Sequence, residues 1–281
     1  MNIRTDLAME AHDLAQRESK GVIDGITSET EKYNDIKITR IEILTDEAGK
    51  RLGKAKGNYI TFETPYLKYS QDDYNDTIRL ISYELIKMAN VDESDTVLIA
   101  GLGNRAITPD ALGCKVVDNL LVTRHMREFI DAPTGTVCAI SPGVLGTTGI
   151  ETTDVVKGIT EKISPSVIIA VDALAAADLS RISTTIQISD TGIQPGAGVG
   201  NNRKGLNYET LGVKVIALGV PTVIDAAAIS DCEIPDELSP LIVTTKDIDL
   251  VIERMSKAVA SGINLAFHRK LTLDEIEEIM I

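Results

Sequence analysis

SVIIAVDAL (166–174) is the stretch on which the reading of this chain turns. Five apolar residues, Val167 to Val171, run without interruption. The run is too short for an ordinary helix and rich in β-branched side chains, so it reads as a strand covered on both faces. Asp172 follows directly. A carboxylate in that place is costly to bury unless it caps a helix, meets a cation or does chemistry.

Working outward, the neighbouring segments alternate. VLIAGLG (97–103) is a short apolar strand ending in glycines, and TPDALGCKVVDNLLV (108–122) a helix with Thr108 as N-cap and Pro109 in its first turn. VCAISPGV (137–144) is a strand running into a loop, and TTDVVKGITEKI (152–163) a helix. Residues 173–182 are expected to be helical. STTIQISD (183–190) and VKVIALGVPTVID (213–225) are strands, and helices follow at 246–262 and 272–279. Toward the N-terminus, residues 1–20 form an amphipathic helix opened by Thr5 or Asp6. Residues 36–46 and 58–65 are strand-like. Residues 71–90 place Ile78, Leu80, Ile81, Leu85, Ile86 and Met88 at helical spacing. The alternation predicts an α/β fold: a twisted, mostly parallel sheet with helices on both faces. Ligands of such sheets bind beyond the carboxyl ends of the strands, here the loops after Ala100, Ala170, Ile188 and Leu218.

Composition narrows the classes. A chain of 281 residues is long enough for one large α/β domain. It has no Trp and 4% aromatics, so Ile, Val, Leu and Ala must build the core. A net charge of −14 argues against holding nucleic acid by its phosphates. Cys114, Cys138 and Cys232 make no C-x-x-C pair, which fits buried thiols in a reducing compartment. No apolar run reaches the ~18–20 residues that span a bilayer, and the first twenty residues lack a signal-like stretch. The expected location is the cytoplasm.

Several motifs compete for the chemistry. GLGNRA (101–106) formally fits a dinucleotide loop, but its helix starts several residues too late and the next strand ends without an acid for a ribose. GAGVG (196–200), inside the long loop TGIQPGAGVGNNRKG (191–205), lacks the Lys-Ser/Thr ending of a phosphate loop. His12, His125 and His268 have no metal-ligand spacing, and no G-x-S-x-G elbow is present. Asp110 sits in the predicted first turn of a helix, where the macrodipole alone gives ~0.3–1 kcal/mol. Asp172 could likewise cap the segment after it. Taken together they say more. Both fall at one edge of the predicted sheet, and two neighbouring carboxyls cannot both ionise easily. One base and one acid in a single site is the equipment for activating water against a carbonyl.

Longer stretches carry a resemblance. RTDLAMEAHD (4–13), GLGN with TPDALG (101–113), LLVTRH (120–125), SPGVLGTTGIET (141–152), IIAVDALAA (168–176), TIQISDTGIQPGAGVGNNRK (185–204), ETLGVKVIALGVPTVIDA (209–226) and GINLAFHRK (262–270) resemble the germination proteases of spore-forming bacteria. The resemblance implies an endopeptidase that begins the degradation of small acid-soluble spore proteins at germination. It implies a fold like that of the hydrogenase maturation proteases. Asp110 falls on the acid of their T-x-[DE]-A-x-G segment and Asp172 on that of I-I-x-D-A, so the pair is expected to be catalytic, as in an atypical aspartic protease. Asp110, at a helix N-terminus, is the expected ionised member and Asp172 the protonated one. No histidine lies between Asp172 and His268, which turns the reading away from the metal-guided chemistry of that second family. No cofactor and no metal are expected.

The same resemblance implies a self-processing zymogen, a homotetramer and residence in the spore core. Thr5 to Glu10 imitates a substrate cleavage site, which places self-cleavage between Asp6 and Leu7. Residues 1–6 would be the propeptide and 7–281 a single protease domain, with residues 1–6 and the 191–205 loop as candidates for blocking the site. The alternatives are a metal-dependent maturation-type peptidase, a nucleotide-dependent enzyme using GLGNRA, and a non-catalytic peptide-binding module built on the Gly-rich loop.

Overall fold

The structure, a computed structural model, describes residues 5–19, 23–65, 67, 69–126, 134–200, 203–229 and 241–280. Cys232 lies outside them, as do residues 1–4 of the expected propeptide. Among the described residues, no helix is long and apolar enough to cross a membrane.

The apolar run that opens the argument becomes β6 (Val167–Ala176), the centre of a nine-stranded sheet. On one side it pairs in parallel with β4 (Thr96–Gly101), which pairs in parallel with β5 (Thr136–Ile140). On the other it pairs in parallel with β8 (Lys214–Asp225). The sheet is therefore parallel over four strands, and the remainder is antiparallel. β7 (Thr185–Ser189) joins β8 to β3 (Gly57–Glu63), followed by β2 (Ile36–Ile43) and the edge strand β1 (Ile26–Tyr33). β9 (Ile242–Val243) pairs with the end of β8. In the antiparallel half, β1 and β2 meet in a hairpin whose Asn34 takes φ 52°.

Helices cover both faces, as the alternation predicts. α3 (Gln71–Ala89), α4 (Leu112–Asp118) and α8 (Ile248–Phe267) bury Ile78, Ile81, Leu85, Val116 and Ile263 against Val97, Ile99, Ile169 and Val171. The other face receives α6 (Thr152–Ile163) and α7 (Tyr208–Leu211) over Leu98, Ala100, Ile168 and Ala170. It also receives α1 (Ala8–Ser19) and α2 (Asp46–Leu52) over Ile41, Ile43 and Leu174. α5 (Leu145–Thr148) is a single turn beside the sheet edge, and α9 (Leu273–Met280) closes the chain.

Four expectations change. Residues 173–176 continue β6 instead of starting a helix, and only Leu179–Arg181 make a 3-10 turn. The Ala-rich segment favours a helix locally, but its ladder with β8 decides. Asp172 therefore lies inside a strand rather than beyond one. The helix expected from Thr108 is a 3-10 turn, Thr108–Asp110, followed by α4 from Leu112, and Thr108 does not cap it. The first helix starts at Ala8: Thr5 Oγ1 accepts the Leu7 N–H at 3.0 Å and donates to Glu10.

α3 and α8 cross closely because Gly262 has no side chain. A Cβ there would stand 2.6 Å from Ile81 Cγ2 and 2.7 Å from its Cβ. Gly262→Ala is expected to destabilise the fold by about 1–3 kcal/mol, the cost of overpacking a fitted core. The check is the denaturant midpoint, and an unchanged midpoint would contradict this crossing.

Candidate active site

Asp172 belongs to the row of β6 side chains that includes Ile168, Ala170 and Leu174, and it is 5% exposed. Its Oδ1 accepts the N–H of Ala173 at 2.9 Å, and no cation is paired with it among the described residues. Burial therefore raises its pKa well above the usual carboxylate range. The negative charges of Asp110 and then Asp6 push it further in the same direction.

Asp110 is the last residue of the 3-10 turn, immediately before the residue that leads into α4. Its Oδ2 accepts the Asn104 N–H at 2.8 Å. Burial raises its pKa too, and that hydrogen bond opposes the rise. Asp110 is only half-buried. Of the two, it is the better placed to carry the negative charge.

The turn bearing Asp110 is fixed from two sides. Gly103 has φ +100°, and a Cβ on it would lie 1.9 Å from the Asp110 carbonyl oxygen. The chain after β4 thus folds directly onto the Asp110 backbone, which only glycine permits. On the other side, Thr222 Oγ1 donates to the Pro109 carbonyl at 2.7 Å. Thr222 can do so because β8 bulges there: Leu174 faces Pro221 and Ala175 faces Val223, leaving Thr222 as the extra residue. Pro221, which has no N–H to give a ladder, is tolerated at such a bulge. Thr244 Oγ1 holds the Thr222 carbonyl in turn at 2.7 Å.

These glycines also decide the fate of the GLGNRA reading. The space beside Gly101 and Gly103 is filled by the carbonyl oxygens of Gly113 and Asp110, at 2.1 and 1.9 Å from a would-be Cβ. The glycines serve chain packing and leave no room there for a pyrophosphate.

Asp110 and Asp172 line one cleft of about 530 Å³. Its rim carries apolar residues, Ile107, Leu145 and Ile242, with Arg203 and Glu151 nearby. A second cavity of about 310 Å³ meets it at Asp172 and Asp6, and is lined by Lys54, Tyr59, Gln187 and Asn207.

The N-terminal segment enters between them. The Asp6 N–H donates to the Ala175 carbonyl at 2.9 Å, and its Oδ2 accepts the Ala175 N–H at 2.8 Å. Burial raises the Asp6 pKa, while the Lys54 ammonium and the N–H groups of Ala175 and Gly198 oppose the rise. Lys54 Nζ donates to the Thr5 carbonyl at 2.9 Å, and burial pushes its pKa down against the pull of Asp6 and Glu10. Gln187 Oε1 accepts the Ala8 N–H at 2.7 Å. Leu7 is 0% exposed and packs into the core beneath α1.

The structure thus brings Asp110, Asp172 and Asp6 to one place, with Leu7 beside them. Sequence reasoning missed Lys54, Gln187 and Thr222. The Pro221 in an otherwise apolar strand was the available signal for Thr222, since proline inside a central strand implies a bulge. His268 is fully buried; its Nε2 lies 2.9 Å from the Leu121 carbonyl and burial lowers its pKa, a structural role far from the cleft. Among the described residues, no group of three or more His, Cys, Asp or Glu is placed to hold a metal.

Comparison with known proteins agrees with the resemblance. The germination protease family profile matches residues 4–236. A germination protease of Clostridium tetani is 40% identical, covering 98% of each chain. That of Caldanaerobacter subterraneus subsp. tengcongensis is 40% identical over 100% of this chain and 98% of its own. That of Priestia megaterium is 36% identical, covering 96% and 95%. A NiFe hydrogenase maturation protease from Thermococcus kodakarensis aligns at 18% identity and a TM-score of 0.36, covering 64% of this chain and 98% of its own. A likeness that distant bears on neither fold nor function. With a profile spanning most of its length and full-length relatives at this identity, the chain belongs to the germination protease family.

Proposed function

We propose that this chain is an endopeptidase that begins the breakdown of small acid-soluble spore proteins when a spore germinates, and that Asp110 and Asp172 are its atypical aspartic pair. One observation carries the reading. Two carboxyls from separate segments line a single cleft, and the buried one is driven toward its protonated form partly by the charge of the other.

The division of labour follows from the environments. Asp110, half-buried and hydrogen-bonded to an N–H, is the ionised base that takes a proton from water. Asp172, buried beside two acids, keeps its proton and gives it to the scissile carbonyl oxygen as hydroxide attacks the carbon. On collapse, Asp110 passes its proton to the leaving nitrogen and Asp172 recovers one from the hydroxyl of the intermediate. The pair then returns to its starting state. The two groups titrate as a unit, so the single proton is a property of the pair.

The zymogen belongs to the same reading. Residues 1–6 are the propeptide, cut between Asp6 and Leu7, and 7–281 are the protease domain. Support comes from the position of Asp6 against Ala175, close enough for its charge to be felt at Asp172. The burial of Leu7 would keep the new N-terminus anchored. The 191–205 loop reaches the same place, since Gly198 donates to Asp6. Homotetramer assembly and residence in the spore core rest on the family resemblance alone.

Asp110→Asn and Asp172→Asn are each expected to lower cleavage of a purified small acid-soluble spore protein by about 10³-fold or more, the scale of losing one member of a catalytic unit. Both variants should keep the native circular dichroism spectrum and, by mass spectrometry, retain residues 1–6. Activity should survive exhaustive chelation in the wild-type protein. Full activity in either variant contradicts the pair, loss on chelation favours a metal peptidase, and intact substrate with bound protein favours a peptide-binding module.

Stability gives a second check. The folded Asp172 pKa is raised, so the protonated carboxyl contributes stability that is complete below the unfolded value and lost as pH rises through the folded value. Asparagine cannot ionise and escapes that loss. The melting temperature of Asp172→Asn relative to wild type should therefore climb steadily from pH 4 toward alkaline pH; a flat difference contradicts the buried acid.

A further inference from the structure

β6 outlasts its neighbour. The last ladder pair between β4 and β6 is Gly101 with Val171, and the Leu102 N–H closes on the Val171 carbonyl at 2.8 Å. β6 then continues to Ala176, paired only with β8. In a parallel strand alternate residues turn both N–H and C=O to the same side. Val171, Ala173 and Ala175 face the side of β4, and β4 has ended. The groups found there fit this geometry. The Ala173 N–H is met by the carboxylate of Asp172 at 2.9 Å, and Ala175 by the main-chain N–H and carboxylate of Asp6. This open edge forms one wall of the 530 Å³ cleft, and Asp110 with its turn forms another.

We propose that the substrate main chain binds as an added strand along the edge of β6 at Ala173–Ala175, so that the bond to be cut passes between Asp172 and Asp110. The proposal rests on the peptidase reading and names how that site takes its substrate. The occupant is an extended peptide carrying an acidic side chain. This chain's own Thr5–Asp6 shows the fit: one N–H on the Ala175 carbonyl, one carboxylate on the Ala175 N–H, and the Lys54 ammonium beside it. Buried N–H and C=O groups require partners, and an extended peptide supplies both in alternation. A helix cannot, because its main-chain groups are already bonded to one another. The recognised state of a substrate is therefore locally unfolded. The edge is short and walled by loops, which keeps it from pairing with sheets at large.

The test uses the wild-type chain. Product analysis first locates the bond that the enzyme cuts in a small acid-soluble spore protein. A twelve-residue peptide spanning that bond is then made with a single N-methyl group at each position in turn. Strand addition predicts an alternation of period two: methylation at inward-facing positions lowers kcat/KM by about tenfold or more, and methylation at the residues between them by less than about threefold. A merely crowded cleft would give no such alternation. If the parent peptide is cut and the losses do not alternate, this proposal is overturned and the peptidase reading stands. If wild-type enzyme cuts no spore protein, both fall.

Discussion

Desolvation of one carboxyl, Asp172, is the constraint around which this molecule is arranged. A parallel strand covered on both faces shields most of its side chains from water, and Asp172, 5% exposed, stands on such a strand with two acids near it. An ionised carboxylate there would be expensive, which favours the protonated form. What would be a defect in a structural strand is, in the proposed mechanism, the acid of the pair. The neighbouring Asp110 keeps more solvent and an N–H partner, and so is the better placed of the two to carry a charge.

Positioning Asp110 against that fixed acid takes unusual backbone. Gly103 lets the chain after β4 press onto the Asp110 carbonyl, and the bulge at Pro221–Thr222 sends a hydroxyl to Pro109 from the opposite side. One device lies two residues past the end of β4 and the other within β8. The early end of β4, at Gly101, leaves the β6 edge beyond Val171 open. One local irregularity in the ladder thus helps hold the turn of Asp110, and one difference in strand length leaves the β6 edge open.

Much of this was legible in the sequence. VIIAV could only be a doubly covered strand, and the apolar spacing of Ile78, Ile81 and Leu85 announced α3, whose Ser70 cap and Asn90 terminator are also local signals. β1 was not legible: ITSETEKY has no apolar alternation and is exposed almost throughout, so its pairing with β2 holds it in place. α2 was missed although Thr45 and Gly53 mark its ends, because its seven residues are too few for periodicity. The site divides the same way. Asp172 was conspicuous as a charge after an apolar run, whereas Lys54 and Gln187 stand among ordinary polar residues. Their meaning comes only from the distant segment, Thr5–Ala8, that the fold brings to them.

The central claim is a single proton shared by Asp110 and Asp172 at neutral pH. Infrared difference spectra of the wild-type chain and Asp172→Asn, recorded across a pH series, test it directly. The account predicts a protonated carboxyl band that persists at pH 7 in the wild type and is absent from the variant. Wild-type spectra in which every carboxyl is ionised by pH 7, identical in that band to the variant, would contradict it.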